Sequence, residues 1–357
     1  MLKKLFVVLV LSLSLAGQTP RTKNVILITA DGVRWQDLFT GMDPMLKDEK
    51  DAGMKDAADR RARYWRDTPE ARREQLMPFF WKDLVKRAAI YGNVTKNSPM
   101  TVTNTLRVSY PGYSEILTGH SNDAVIDGNV NFQNPSRTVL EIAREKLALD
   151  RSKVALFGSW DSFKWIGESK PGTITINAGY EAWEGGNARM RDLSRAQMMA
   201  LPPWDDARHD YFTFEMAMEY LRTAKPRVLF ITLDETDDWA HDKRYDRVLD
   251  SIHYFDQCLR ELFGAIDSMP EYKGSTSVIV TTDHGRGDKL DTWSGHGKKI
   301  PDAANVWMAM AGPDTRAAGE MHDVPEIHQR DVAPTILSLL GIDPSGMKEI
   351  LGRPVKP

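Results

Sequence analysis

The chain has 357 residues, of which 41% are hydrophobic and 27% charged, and its 47 basic and 50 acidic side chains give a formal net charge of −3. This composition is typical of a globular protein with a substantial core, and it excludes collagen, a coiled coil and a disordered chain. The near-neutral charge gives no electrostatic reason to expect nucleic acid or an anionic membrane surface as the main partner. Cys258 is the single cysteine, so the sequence allows no intramolecular disulfide and no Cys-x-x-Cys metal or redox pair.

The first 16 residues have the layout of a secretory signal peptide. Lys3 and Lys4 precede an apolar stretch over residues 5–15, which ends in small residues. The stretch is shorter than the roughly 20 apolar residues of a membrane span, so we expect cleavage near Ala16. We therefore predict a periplasmic or secreted protein that has no stable membrane anchor after cleavage.

Short β-branched apolar runs alternate with helical patterns over residues 24–345. The runs cover residues 24–29, 153–157, 227–233, 277–282 and 305–311. Helical periodicity covers residues 138–147, 211–221 and 331–341. Such alternation is typical of an α/β protein with a mostly parallel central sheet and helices on both faces. We predict one large layered domain.

Two segments depart from this alternation and are predicted to be insertions. Residues 41–73 are rich in charge and poor in apolar side chains, which is typical of a solvated helical insertion. Within it, Thr68 is predicted to cap a helix that has Pro69 at its first position. In residues 167–210, Gly, Pro and Trp replace regular periodicity, which indicates a second insertion.

Acidic residues follow several of the predicted strands. Asp31 comes directly after the first run, Asp237 lies in the segment after the third, and Asp283 follows the fourth. In an open parallel sheet, ligands bind outside the carboxyl ends of the strands. Carboxylates gathered there repel one another and are costly to bury without a partner. No arginine or lysine adjoins these three aspartates in sequence, so the sequence predicts either a bound cation or a cluster that stays hydrated.

Histidines accompany these aspartates. Carboxylate plus imidazole, without thiolate, is the ligand set of a catalytic zinc ion or a similar transition metal. Asp237 and His241 are four residues apart, so on a helical turn they would share a face and could bind one ion. Asp283 and His284 are adjacent and can share a site only if the chain turns there. His296 lies in a loop between two glycines and could complete a set of ligands.

Ser109 is the candidate nucleophile. It precedes a predicted Tyr-Pro-Gly turn that leads into a short helix ending at Gly119. The N–H dipoles at a helix N-terminus favour a phosphate group or a forming alkoxide. The alternative is that the Ser109 hydroxyl only caps the helix.

In their order along the chain, these motifs resemble the alkaline phosphatase superfamily, and within it the nucleotide pyrophosphatase/phosphodiesterase-like (type I phosphodiesterase) branch. The motifs are Asp31, Ser-Tyr-Pro-Gly-Tyr-Ser-Glu-Ile-Leu-Thr-Gly at 109–119, Asp237 with His241, Asp283-His284-Gly, His296-Gly, and Asp-Val-Ala-Pro-Thr-Ile-Leu at 331–337. Because the motifs extend over most of the chain, their combination is far more specific than any single one. The resemblance implies an alkaline phosphatase-like fold.

The resemblance also implies two divalent metal ions, most often Zn²⁺ in this branch. The ligands that it assigns are Asp237, His241 and His296 for one ion and Asp31, Asp283 and His284 for the other. Ser109 would contact the ions and attack phosphorus, giving a phosphoserine that water then hydrolyses. Asn129 would donate to a non-bridging phosphoryl oxygen, although Asn131 is close enough in sequence to be the alternative.

We therefore predict an exported metal-dependent phosphoester hydrolase that acts on a small-molecule substrate. Relatives specific for monoesters carry a Lys-x-Arg pair, which the corresponding residues 158–164 lack. Lys164 could replace that pair, but a surface lysine is the simpler interpretation. The sequence thus leaves both a phosphodiesterase and a phosphomonoesterase open.

Three alternatives have weaker support. A sulfatase needs Cys or Ser followed by x-Pro-x-Arg, and Tyr113 stands where that arginine is required. A cofactor-independent phosphoglycerate mutase would share the metal ligands, but the predicted export separates the chain from a cytoplasmic substrate. A non-catalytic metal- or phosphate-binding protein of the same fold would be expected to lose Ser109 or a ligand, and every such position is filled.

Overall fold

The computed structural model describes residues 21–356, and the predicted signal peptide at residues 1–16 lies outside this range. The strands are β1 (Asn24–Ala30), β2 (Ala88–Tyr91), β3 (Met100–Thr101), β4 (Val154–Gly158), β5 (Thr175–Ala178), β6 (Val228–Leu233), β7 (Thr276–Thr281), β8 (Met308–Ala311), β9 (Gly319–Glu320) and β10 (Ile327–His328). The α-helices are α1 (Trp35–Thr40), α2 (Ala57–Tyr64), α3 (Pro69–Leu76), α4 (Pro78–Lys82), α5 (Ser109–Thr118), α6 (Val139–Lys146), α7 (Phe163–Ile166), α8 (Ala188–Gln197), α9 (Asp210–Ala224), α10 (Glu235–His241), α11 (Tyr245–Ser268) and α12 (Val332–Leu339). Among the described helices, none combines the length and the apolar character that crossing a membrane requires.

Eight of the strands form one sheet in the order β5-β4-β6-β1-β7-β8-β2-β9. The pairs β5-β4, β4-β6, β6-β1, β1-β7 and β2-β9 are parallel, whereas β8 is antiparallel to both β7 and β2. The prediction of a mostly parallel sheet is confirmed. The run predicted over 305–311 forms a shorter strand, β8, because its first residues hydrogen-bond instead to the segment around Met100.

Helices cover both faces of the sheet, as predicted. Ile26 and Ile28 of β1 pack into a core cluster with α4, α9 and α11. Val25 and Leu27, which alternate with them, pack into a second cluster with α5, α6 and α12. A strand buried on both faces reads as a continuous apolar run, which is why β1 is visible in the sequence.

The predicted helix cap is confirmed, since Thr68 caps α3 by accepting a hydrogen bond from the N–H of Ala71. Thr138, which the sequence did not single out as a cap, caps α6 in a capping box with Glu141. Cys258 is buried in α11, where burial raises the pKa of its thiol. A catalytic thiol is therefore not supported.

Within residues 21–356, the apolar runs missed five short strands, which are β2, β3, β5, β9 and β10. β5 lies inside the segment 167–210, yet it pairs in parallel with β4 at the edge of the central sheet. It has four residues, of which two are half-buried, so it shows no long apolar run. β2 also has four residues and is too short to stand out from its surroundings.

The sheet brings three loops together. β1 lies between β6 and β7, and its last residues are in register with the ends of both neighbours. The N–H of Asp31 continues this pairing by donating to the carbonyl of Leu233, at 2.9 Å. The residues that follow β1, β6 and β7 therefore meet at the carboxyl edge of the sheet, which is where ligands bind in open α/β sheets.

Candidate metal centre and nucleophile

Asp31, Asp283 and His284 form the first group of candidate ligands. Nε2 of His284 lies 3.5 Å from Oδ1 of Asp31 and 3.4 Å from Oδ2 of Asp283. All three side chains are buried. The N–H of Gly32 donates to Oδ1 of Asp283 at 3.0 Å, which leaves Oδ2 facing the imidazole. The chain therefore turns after β7 so that adjacent residues share one cluster, and these three side chains could hold a metal ion.

Asp237, His241 and His296 are the second predicted set. In the structure, the ligand atoms close enough to share one ion belong to Asp237, His296 and His284, and His241 is an exposed neighbour of Asp237 and His296. Asp237 and His241 lie on one face of α10, and Oδ2 of Asp237 is 2.9 Å from Nε2 of His241. Nε2 of His241 is in turn 3.0 Å from Nε2 of His296. The two groups adjoin, since Nε2 of His284 lies 3.7 Å from Oδ1 of Asp237. All six candidate ligands thus lie at one place.

Two of the imidazoles have a defined orientation. Nδ1 of His284 lies 3.0 Å from the carbonyl oxygen of Gly285, and Nδ1 of His296 lies 3.0 Å from that of Arg107. Because a carbonyl can only accept, each Nδ1 carries a proton and each Nε2 keeps its lone pair in the neutral ring. An imidazole held in this way is typical of metal sites.

The buried carboxylates fit a metal ion. Both side-chain oxygens of Asp31 and Oδ2 of Asp283 are buried and have no hydrogen-bond partner within residues 21–356. Burial raises the pKa of Asp31 well above its usual value, and the charge of Asp283 adds to the effect. Burial likewise raises the pKa of Asp283 and lowers the pKa of His284. A divalent cation would satisfy the oxygens, and the oxygen and nitrogen donors suit zinc or a similar ion.

Metal affinity is expected to fall as the pH falls. The raised pKa values of Asp31 and Asp283 mean that these carboxyls hold protons at a higher pH than usual, and an entering ion must displace them. The lowered pKa of His284 keeps that imidazole neutral. We expect the apparent dissociation constant for Zn²⁺ to rise about tenfold per pH unit for each proton displaced. Zinc titrations of chelator-treated protein between about pH 8 and about pH 5 would measure this, and a flat affinity would contradict it.

Ser109 is the first residue of α5, and Val108 holds the N-cap position without a side-chain cap. The capping alternative for Ser109 is therefore wrong. Its Oγ lies 3.4 Å from Nε2 of His284, which places the hydroxyl against the first ligand group. The Tyr-Pro-Gly stretch, expected as a turn, forms part of α5 instead. A proline is tolerated there because the first helical N–H groups have no partner inside the helix.

Close packing of α5 brings Ser109 to the cluster. A Cβ on Gly112 would lie 2.5 Å from the carbonyl oxygen of Asp283, so only glycine allows this approach. Nε2 of Gln329 donates to the carbonyl oxygens of Gly112 and Asp283, at 2.9 and 2.6 Å. Gln329 thus links α5, which carries Ser109, to the segment after β7 that carries Asp283 and His284.

Asn129, rather than Asn131, lies beside Ser109. Oδ1 of Asn129 accepts a hydrogen bond from the N–H of Tyr110 at 2.9 Å. Its amide nitrogen has no protein acceptor among the described residues and is free to donate to a ligand. Asn131 makes no side-chain hydrogen bond to α5 within residues 21–356. Asn129 therefore occupies the position beside Ser109, for which the sequence left Asn129 and Asn131 as alternatives.

Comparisons with known proteins point to the same class of fold. A family model described as the Metalloenzyme superfamily matches residues 206–344, the part of the chain that carries five of the candidate ligands. The alkaline phosphatase PafA is similar in structure, with a TM-score of 0.63 at 12% identity over 95% of this chain and 99% of that one. The chain has an alkaline phosphatase-like fold. No curated protein sequence matches it.

Other solved structures share this alkaline phosphatase-like fold. The lipoteichoic acid synthase LtaP from Listeria monocytogenes has a TM-score of 0.57 at 12% identity, over 94% of this chain and 75% of that one. The 2-O GAG sulfatase BT1596 has a TM-score of 0.56 at 12% identity, over 95% and 73%. At such low identity the likeness shows the fold, and function must be argued from the site. The nucleotide pyrophosphatase/phosphodiesterase-like branch stays a prediction.

A buried arginine stands beside the ligands, and the expectation of aspartates without a neighbouring cation is wrong in this respect. The guanidinium of Arg286, three residues after Asp283, pairs with Oδ1 of Asp237. The contact is invisible to sequence reasoning because it joins residues 49 positions apart. Asp31 and Asp283 still have oxygens without a partner, so one arginine does not replace the predicted ions.

Glu115 is a second residue that the sequence did not single out. It lies on the same helix as Ser109, is fully buried, and accepts hydrogen bonds from the backbone and side-chain N–H groups of Asn104, both at 2.9 Å. Oδ1 of Asn104 in turn accepts from the N–H of Arg107 at 2.7 Å. Because the carbonyl of Arg107 orients His296, α5 supports both the serine and one of the imidazoles.

Proposed function

We propose that the protein is an exported metal-dependent hydrolase of phosphoric esters that acts on small-molecule substrates. One observation carries the proposal: the Ser109 hydroxyl, at the N-terminus of α5, lies 3.4 Å from an imidazole that belongs to a buried carboxylate and histidine cluster. The export rests on the signal-peptide pattern of residues 1–16.

The two groups of side chains are the proposed sites of two Zn²⁺ ions. Asp31, Asp283 and His284 would bind one ion, and Asp237, His241 and His296 the other. When bound, a pair of divalent ions supplies electrostatic stabilisation of the attacking and leaving oxygens in an in-line displacement. The uncompensated carboxylate oxygens of Asp31 and Asp283 support this assignment.

The protein's own side chains supply the nucleophile and a hydrogen-bond donor to the phosphoryl group. Oγ of Ser109 loses its proton and attacks phosphorus, the bond from phosphorus to the leaving oxygen breaks, and the leaving group takes up a proton and departs as the alcohol. The phosphoserine that forms keeps the second ester group when the substrate is a diester. Water then attacks the phosphoserine and restores the hydroxyl. The amide nitrogen of Asn129 donates to a non-bridging phosphoryl oxygen, and the helix N-terminus favours the negative charge beside it.

Replacing Asn129 by alanine is expected to lower kcat by about 10²–10³-fold, the usual cost of removing one donor to a developing oxyanion. The change also removes the acceptor of the Tyr110 N–H, so a melting curve should accompany the kinetics. Asn131→Ala is the matched control and should keep wild-type kcat. Equal effects of the two substitutions would contradict the role of Asn129.

We expect phosphodiesters to be preferred over monoesters. A monoester carries an additional negative charge, which calls for a free cationic side chain near the phosphoryl group. The candidates next to the motifs are already engaged: Arg107 donates to two backbone carbonyls at 3.4 Å, and Arg286 pairs with Asp237. Lys164, the possible replacement for the Lys-x-Arg pair, is half-exposed and pairs with Asp161 at 3.2 Å.

The test is steady-state hydrolysis of p-nitrophenyl phosphate, bis-p-nitrophenyl phosphate and p-nitrophenyl sulfate by the zinc-loaded protein, with a chelator-treated control. We expect chelator-sensitive turnover of the phosphate esters, with the higher kcat/KM for the diester. A higher value for the monoester would contradict the diester preference alone. Turnover of the sulfate ester only would identify a sulfatase instead. No turnover by folded, metal-loaded protein would favour the non-catalytic binding protein.

A further inference from the structure

Arg286 contacts three of the chain segments that carry candidate ligands. Its Nε lies 3.2 Å from the carbonyl oxygen of Gly32, which follows Asp31. Its Nη2 pairs with Oδ1 of Asp237 and lies 3.3 Å from the carbonyl oxygen of the same residue. Its Nη1 donates to the carbonyl of Ser294, in the loop that leads to His296. The guanidinium is fully buried.

The backbone holds the pair between Arg286 and Asp237 in place. Gly32 has a φ of +59°, and a Cβ there would lie 2.5 Å from Oδ1 of Asp237 and 3.0 Å from Nε and Nη2 of Arg286. The chain after β1 therefore packs directly against the ion pair. Both side chains of the pair are buried, so they have less room to rearrange than an ion pair on the surface.

We propose that Arg286 is a positioning residue that assigns Asp237 to one metal ion. With Oδ1 held by the guanidinium, Asp237 presents Oδ2, which lies 2.9 Å from Nε2 of His241. Oδ1 already lies 3.7 Å from Nε2 of His284 in the other ligand group, and the guanidinium occupies this oxygen, so its removal would free Oδ1 for an ion bound to His284. Arg286 thus directs Asp237 to the ion on the His241 and His296 side, although His284 lies within reach of both groups. The inference rests on the metal centre of the proposed function and is independent of the ester that is cleaved.

The three simultaneous contacts of residue 286 require an arginine side chain. A guanidinium has five N–H donors in a rigid plane and can serve Gly32, Asp237 and Ser294 at the same time, whereas a lysine ammonium is a point charge on a flexible stem. Arg286→Lys therefore keeps the charge and loses the orientation. Loss of an outer hydrogen-bond partner typically weakens metal binding by about 10–100-fold.

The experiment is a Co²⁺ titration of chelator-treated protein, followed by visible absorption and metal content. Wild-type protein should bind two ions in separable steps. In Arg286→Lys, one step should weaken by about 10–100-fold while the other stays unchanged. His241→Ala already disrupts the ion site that contains Asp237. Adding Arg286→Lys to the His241→Ala variant should therefore leave the Co²⁺ affinity of the other site unchanged. Arg286→Gln, which is uncharged, should show the same selective loss if the lysine variant does not fold.

Arg208→Lys is the matched control. Arg208 is equally buried, and its guanidinium donates to Asn177 at 2.6 Å and to Gln197 at 3.0 Å. This control should lower the melting temperature and keep both Co²⁺ affinities.

Wild-type Co²⁺ binding by the folded Arg286 variants, or an equal loss at both sites, would overturn the inference. A selective loss in a protein that cleaves none of the esters would support the inference and refute the proposed hydrolase. Failure of the wild-type protein to bind Co²⁺ or Zn²⁺ would refute the metal centre and both proposals.

Discussion

Ser109→Ala is expected to lower kcat for phosphoester hydrolysis by at least about 10³-fold, the scale on which hydrolases lose activity with their nucleophile. The hydroxyl does not cap α5, so we expect a loss in the free energy of unfolding of no more than about 1 kcal/mol. Zinc content and kcat of the purified variant, measured with bis-p-nitrophenyl phosphate, test this result.

Two further variants sharpen the Ser109 experiment. Ser114→Ala removes a buried hydroxyl from the same helix, where Ser114 accepts from Asn134 at 3.3 Å, and it should keep wild-type kcat. Ser109→Thr should retain activity, since threonine keeps a hydroxyl at the same position. Full activity in Ser109→Ala would exclude the covalent mechanism.

Asp31→Asn is expected to remove the metal ion of the first group and, with it, turnover. The loss of Zn²⁺ affinity should exceed the about 10–100-fold that follows the loss of an outer partner, because Asp31 is itself a proposed ligand. In metal-free protein, both oxygens of Asp31 are buried without a partner, and burial raises the pKa of the carboxyl. A neutral amide removes this penalty at neutral pH, so the metal-free variant should melt at or above the wild-type temperature.

Asp256→Asn is the control, because we expect it to lower stability and leave Zn²⁺ binding unchanged, which is the reverse of the result expected for Asp31→Asn. Its two carboxylate oxygens accept from the N–H groups of Phe79 and Phe80, at 2.9 and 2.8 Å, and an amide can satisfy only one of them. We expect this variant to lose about 1–3 kcal/mol of stability and to bind Zn²⁺ as the wild type does. A metal-free Asp31→Asn protein that melts well below the wild type, with unchanged Zn²⁺ affinity, would contradict the metal assignment.

Local patterns predicted the parts of the molecule that depend on neighbours in sequence. β1, β4, β6 and β7 appear as apolar runs because each is buried on both faces of the sheet. Asp237 and His241 share a face because four residues make about one helical turn. The α/β class and the placement of acidic residues at strand ends follow from the same periodicities, and the resemblance adds the grouping of ligands.

The tertiary structure decided what depends on contacts between distant segments. The approach of Ser109 to His284 follows from the packing of Gly112 against Asp283, which nothing in the residues around Ser109 indicates. The choice of Asn129 over Asn131 depends on which amide reaches the start of α5.

The pairing of Arg286 with Asp237 is another such contact. It forms because β1 lies between β6 and β7, which brings the loops after those strands together beside Gly32. Hydrophobic periodicity records which side of a strand or helix is buried, but it does not record which other segment lies against it. The sequence by itself therefore determined the layers and the strand ends, and the packing of those layers decided which side chains meet at the site.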